Sequence, residues 1–338
     1  MSGRAPTHDH ALPSEGISPA ERIPGIGLFN GHATMHTKHG YVGLAIALAA
    51  VYLVAGVACG ELAELAYSYR NDRAGGVALL QIDTDSGTIV DQRVLLETAT
   101  CGHPNKLRRT ADRQLFVLAN ESDREPHMFL AARDETKRPA ITLPAMPDEL
   151  RVTDHLAIAT CDDDWIALVD LQQGEVVGRW NVGKLLAPPG NMPESVEVAP
   201  AATHAVVSLQ KDSAKGKKFG SRLAIFTWPA MQLVADIRLP RTHPELHIPG
   251  NLQEQGPCPE VVFVAESTDT LLTTLDLYGA VAVMDWSAAK MGTLANCQYL
   301  PTSMDGAWGT AFPDRATLFA LAGQPHVLVC NAGAGGGA

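Results

Sequence analysis

The chain has 338 residues, 46% of them hydrophobic, and a formal net charge of −11. That is ample apolar material for a full core, which excludes a disordered protein. The acidic balance argues against a nucleic-acid footprint, because phosphate binding needs clustered Lys and Arg.

Residues 1–39 are polar, Pro/Gly-containing and rich in His, and they read as a flexible N-terminal segment; nothing near Met1 resembles the apolar stretch of a signal peptide. His32, His36 and His39 are spaced to share one helical face, with His8-Asp9-His10 upstream. Metal ligation needs a fourth group and outer hydrogen-bond partners, so these read as a His-bearing tail. From residue 40 to 338 the pattern is that of one β domain. Tyr41–Cys59 has no charged residue and is long enough for a membrane anchor. It also resembles the later run Trp308–Phe312 and Phe319–Gly323, which favours two buried strands over an anchor. Gly60–Tyr69 is the one short helix expected, as an insertion.

A repeated phrase dominates the rest of the chain. Ile82-Asp83-Thr84-Asp85-Ser86-Gly87 leads through a polar stretch to Gly102-His103-Pro104-Asn105, then to the turn Thr110–Arg113 and the apolar run Leu115–Asn120. Copies begin at Pro147-Asp148, Pro193-Glu194 and Pro259-Glu260, and each leads into a second apolar run at Leu156–Ala159, Ala205–Leu209 or Leu271–Leu275. A further strand of each unit is read at Val77–Ile82, Ile166–Val169, Leu223–Phe226 and Val281–Met284. Taking Tyr52, Phe116, Ala157, Val207, Leu272 and Phe319 as equivalent, the period is about 40 to 65 residues, the range of four-stranded propeller blades with loop insertions. Amphipathic helices between strands, which a parallel α/β fold requires, are scarce.

Val169-Asp170-Leu171-Gln172-Gln173-Gly174-Glu175-Val176-Val177, followed by Asn181-Val182-Gly183, resembles the blade signature of YVTN-type β-propellers. The Ile82–Asn120 segment resembles the whole unit of that family, with Phe116–Asn120 where its name motif stands. The likeness extends over roughly residues 40–338, and it implies an all-β fold of four-stranded antiparallel blades of the seven-bladed type, often secreted, hence soluble in a periplasmic or extracellular setting. Two features depart from the family. The chain holds about five blades plus a partial one, and it closes on Gly333–Ala338 in mid-blade, so the expectation is a propeller incomplete at the C-terminus, with edges left uncovered.

In propellers the first strand of each blade lines a central channel, so the residues that begin those strands share one mouth. They are His39, His103, Asp148, Glu194, Glu260 and Asp305, the expected ligand-binding positions. Converging carboxylates and imidazoles bind divalent cations or position a hydrolytic water, with Glu194, Glu260 and Asp305 the expected metal ligands. The plain alternative is that Pro sets the backbone and the acid caps a turn.

The expected function is therefore a scaffold that binds a small molecule or a protein at the channel mouth, with a lactonase-type hydrolase as the rival and a membrane-anchored propeller as a third reading. No G-x-S-x-G, Walker loop or H-E-x-x-H is present. Neither a nucleotide nor haem is expected. The six cysteines form no C-x-x-C and no C-x-x-C-H, so they read as free buried thiols. Lys215, Lys217 and Lys218 read as a solvated loop, and Trp165, Trp228, Trp286 and Trp308 as packing between blades.

Overall fold

The computed structural model describes residues 62–71, 73–122, 126–186, 191–211, 219–242, 254, 256–302, 312–321 and 324–332. The N-terminal histidines, Tyr41–Cys59, the Lys215–Lys218 group, Asp305, Trp308 and Gly333–Ala338 lie outside them.

The described residues form antiparallel sheets that follow one another along the chain. The first holds β1 (Leu62–Arg70), β2 (Gly75–Asp83) and β3 (Ile89–Thr98). Three more are four-stranded and regular in order: β4 (Pro104–Arg109), β5 (Leu115–Asn120), β6 (His127–Ala132) and β7 (Ile141–Thr142); then β8 (Pro147–Thr153), β9 (Leu156–Cys161), β10 (Trp165–Asp170) and β11 (Glu175–Asn181); then β12 (Asn191–Val198), β13 (His204–Lys211), β14 (Phe219–Thr227) and β15 (Leu233–Arg238). A fifth sheet holds β16 (Pro259–Ala265), β17 (Thr270–Leu275), β18 (Ala280–Asp285) and β19 (Gln298–Pro301), and a last pair joins β20 (Phe312–Leu321) to β21 (Gln324–Ala332). The fold is all-β, and its four-stranded antiparallel sheets are consistent with a propeller-like arrangement.

The apolar runs of the sequence are unbroken because the inner strands bury both faces, so the usual alternation of period two disappears. On β5, Phe116 and Leu118 pack with Val77 and Leu79 of the first sheet, whereas Val117 and Ala119 pack with Ala157 and Ala159 of the third. On β9, Ile158 turns the other way, toward Ala205, Val207 and Leu209 of β13. Val206 in turn faces Val262, Val264 and Leu271 of the fifth sheet. Each of the first four sheets is thus glued to the next by its own cluster. Trp286 is 2% exposed in the last of these, edge-on to His204 with ring centroids 5.8 Å apart. The first strands keep the same order: β1 lies against β4, β4 against β8, β8 against β12, β12 against β16 and β16 against β20.

The Asp-to-Gly phrases are hairpins of one design. The carboxylate of Asp83 accepts from the backbone N–H of Asp85 and Ser86, and that of Asp170 from Gln172 and Gln173, while the Gly four residues on donates back to the Asp carbonyl at 2.8 Å in both. Gly87 and Gly174 have φ of +67° and +73°, the left-handed region that glycine enters freely.

Two expectations fail. Leu62–Arg70 is strand β1, not a helix, because it pairs residue for residue with the buried β2, and its Tyr67 and Tyr69 suit a half-buried sheet. Tertiary pairing overrides the helical reading. The alignment of apolar runs puts Phe319 on a second strand, yet β20 runs unbroken from Phe312 to Leu321 and its partner is β21. Phe319 therefore belongs to the first of the two paired strands, while Tyr52 lies outside the described residues.

Candidate functional site

Every first strand from β4 to β20 breaks register at the same place. The irregularity falls between Pro104 and Leu107, Pro147 and Glu149, Pro193 and Val196, Pro259 and Val262, and Phe312 and Arg315. Proline cannot donate to the ladder, and a bulge beside it re-aims the next side chains. The residue after each of the second to fourth of these prolines is Asp148, Glu194 or Glu260.

Hydroxyls on the second strands hold these bulges. Thr160 Oγ1 accepts from the Glu149 backbone N–H at 3.0 Å and donates to the Glu194 carbonyl of the next sheet at 3.0 Å. Ser208 Oγ repeats the relay, accepting from Ser195 N–H at 3.0 Å and donating to the Glu260 carbonyl at 2.7 Å. Thr274 Oγ1 accepts from Val261 N–H at 3.0 Å. The backbones of Glu194 and Glu260 are thereby each tied to the sheet before.

The three acids meet. Glu260 shares a side-chain hydrogen bond with Glu194, and its pKa rises to about 9, through burial first and then the charges of Glu194 and Asp276. Asp148 rises to about 8, again through burial first, then Glu194, Asp162, Glu121 and Glu149. Its Oδ2 is buried without a hydrogen-bond partner among the described residues. The thiol of Cys258 donates to Glu260 Oε1 at 3.5 Å and is itself pushed far up by burial. Cys258 Sγ and one oxygen each from Glu260 and Asp276 lie within 4.8 Å of one another. Such a group holds a proton or a cation, since carboxylates this close repel when all are ionised.

His103 is not part of this group. Its ring Nδ1 lies 3.2 Å from the Arg70 guanidinium, and its backbone N–H donates to Asn120 Oδ1 at 2.9 Å. Its place after the break of β4 is taken by Asn105, which lines a cavity of about 670 Å³. His39 and Asp305 lie outside the described residues.

That cavity is walled by β4, β8, β12, β16 and β20, and it carries charge that sequence reasoning passed over. Glu149 Oε1 accepts from Arg108 at 2.7 Å and Arg151 at 2.9 Å, Arg151 Nε donates to Glu197 at 2.7 Å, and Lys106 Nζ stands 3.8 Å from Glu149 Oε2. Burial opposes the charge on Arg151, but Glu149 and Glu197 outweigh it and move its pKa up. Burial moves Glu197 up as well, against the pull of Arg151. Charged residues two apart on a strand look like a solvent face. Cys258 and Asp276 escape a sequence reading because neither belongs to the repeated Pro-acid pair.

No family model matches the chain, and no curated protein matches it.

Proposed function

We propose that the chain is a β-propeller of the YVTN type, seven-bladed when its ring is complete, and that it works as a binding scaffold through the mouth of its central channel. The observation that carries this reading is the hydrogen bond shared by Glu194 and Glu260, with Asp148, Cys258 and Asp276 gathered beside it. The ligand group that suits these atoms is a divalent cation, alone or carried by a small molecule or protein partner. Carboxylate oxygens favour Ca²⁺ or Mg²⁺, while recruitment of the Cys258 sulfur favours Zn²⁺. Cation entry displaces the proton that Glu260 otherwise keeps.

Titration calorimetry with Ca²⁺, Mg²⁺ and Zn²⁺ in buffers of different ionisation enthalpy tests this. One of the ions is expected to bind with proton release, and the double variant Glu194→Gln, Glu260→Gln to lose that binding with its melting temperature kept. No binding of any ion, or a double variant that unfolds, returns the acids to a purely structural role.

A lactonase-type hydrolase is supported by one feature, a buried carboxyl at Asp148 that keeps its proton near neutrality and so serves as a general acid. Acid release from a panel of sugar lactones, abolished by Asp148→Asn, separates this from pure binding. Among the described residues no helix is long and apolar enough to cross a membrane. The anchor reading rests on Tyr41–Cys59 alone.

A further inference from the structure

Among the described residues, the charged groups of the cavity do not balance. Lys106, Arg108 and Arg151 face it against two carboxylates, Glu149 and Glu197. Glu149 has no acceptor capacity to spare near Oε1, which takes the Leu150 backbone N–H at 2.8 Å in addition to both arginines. Glu197 is committed to Arg151. Lys106 is left the worst served: its side chain is 11% exposed, and its one ion-pair contact among the described residues is 3.8 Å long. An ammonium has three protons to donate, and burying it without acceptors is costly. Among the described residues, the groups that β16 and β20 bring to the facing wall, such as Val261, Phe263 and Thr317, are uncharged. The volume, about 670 Å³, suits a small molecule.

We infer that this cavity is an anion site, in which Lys106 and Arg108 bind the carboxylate or phosphate group of a compact ligand. Its walls are the same first strands that carry the acids, but none of Asp148, Glu194 and Glu260 lines it, and the inference does not depend on the reading of the mouth. Arg108 is already oriented for the task, with one guanidinium nitrogen on the Leu107 carbonyl at 3.0 Å and another on Glu149. The fork needs little rearrangement to meet an oxyanion, and Lys106 supplies the point charge beside it.

The experiment is titration calorimetry of the full chain at low salt, with inorganic phosphate in one arm and malonate in the other. Binding of one or both at a single site is expected, weakening as sodium chloride is added. The arm that binds more tightly identifies the group. Lys106→Gln should lower the affinity by about tenfold or more, a loss of one ionic hydrogen-bond donor. Lys106→Met, which keeps the packing of the aliphatic stem, takes its place should the Gln variant not fold. The Glu194→Gln, Glu260→Gln double variant should bind as wild type, so failure of the mouth reading leaves this one standing. The inference is overturned if neither probe binds, if binding is indifferent to salt, or if both Lys106 variants bind as wild type.

Discussion

The Ser208 hydroxyl donates to the carbonyl of Glu260 across the boundary between two sheets, at 2.7 Å. The same oxygen accepts from the backbone of Ser195, so one atom holds a bulge in its own sheet and the start of the next sheet's first strand. Thr160 stands in the same relation to Glu194. Glu194 and Glu260 are thus each held at the backbone by a bond that runs between sheets.

Ser208 has no solvent exposure, so Ser208→Ala leaves a buried N–H and a buried carbonyl each short of a partner. The expected cost is about 2 kcal/mol, within the range for unsatisfied buried groups. Urea unfolding should show it as a lower midpoint with an unchanged slope. Ser208→Thr keeps the hydroxyl and should lose much less. A variant lacking the hydroxyl that matches wild type would show that the relay contributes nothing to stability.

The buried acids also dictate a pH dependence. Glu260 and Asp148 have folded-state values of about 9 and about 8, far above those of carboxyls in the unfolded chain. Between the two ranges the folded protein binds more protons than the unfolded one, so stability falls as pH rises. The slope is at most about 1.4 kcal/mol per pH unit for each group. Thermal melts from pH 5 to pH 9 should therefore decline, and Glu260→Gln should flatten the decline, with the variant's advantage greatest at the alkaline end. A flat profile in the wild type would mean that the acids are solvated or already neutralised.

Much of this architecture is legible in the chain itself. Proline marks the start of β4, β8 and β16, the inner strands show as apolar runs because both faces are covered, and Asp170 with Gly174 spells a hairpin through the hydrogen bonds each supplies. The convergence of Asp148, Glu194 and Glu260 also follows once the strands are aligned. What stays hidden depends on distance in space. Glu149 and Arg151 look like an exposed strand face until β4 and β12 bring Arg108 and Glu197 to them. Cys258 reads as an ordinary buried thiol, since nothing local shows that Asp276 lies beside it. The Leu62–Arg70 strand passes for a helix because its apolar spacing fits either, and the deciding partner, β2, lies beyond the window in which periodicity is judged.

Arg222 is the largest such surprise, a cation with a fully buried side chain on the inner strand β14. Its Nε donates to Asp236 Oδ1 at 2.9 Å and a second nitrogen grips Asp236 Oδ2, a two-pronged pair between β14 and β15. The two partners are unequal. Asp236 keeps 24% of its side chain exposed and can turn to water, whereas the guanidinium cannot. Removing the carboxylate should therefore hurt more than removing the cation: Asp236→Ala is expected to cost about 3–5 kcal/mol, the penalty for taking the paired carboxylate from a buried charge. Arg222→Met loses the pair but keeps an unbranched apolar stem and leaves no buried charge, and should cost clearly less. Denaturant midpoints of the two variants and of their combination settle the order. If Arg222→Met proves the worse of the two, the guanidinium holds this sheet together chiefly through partners other than Asp236.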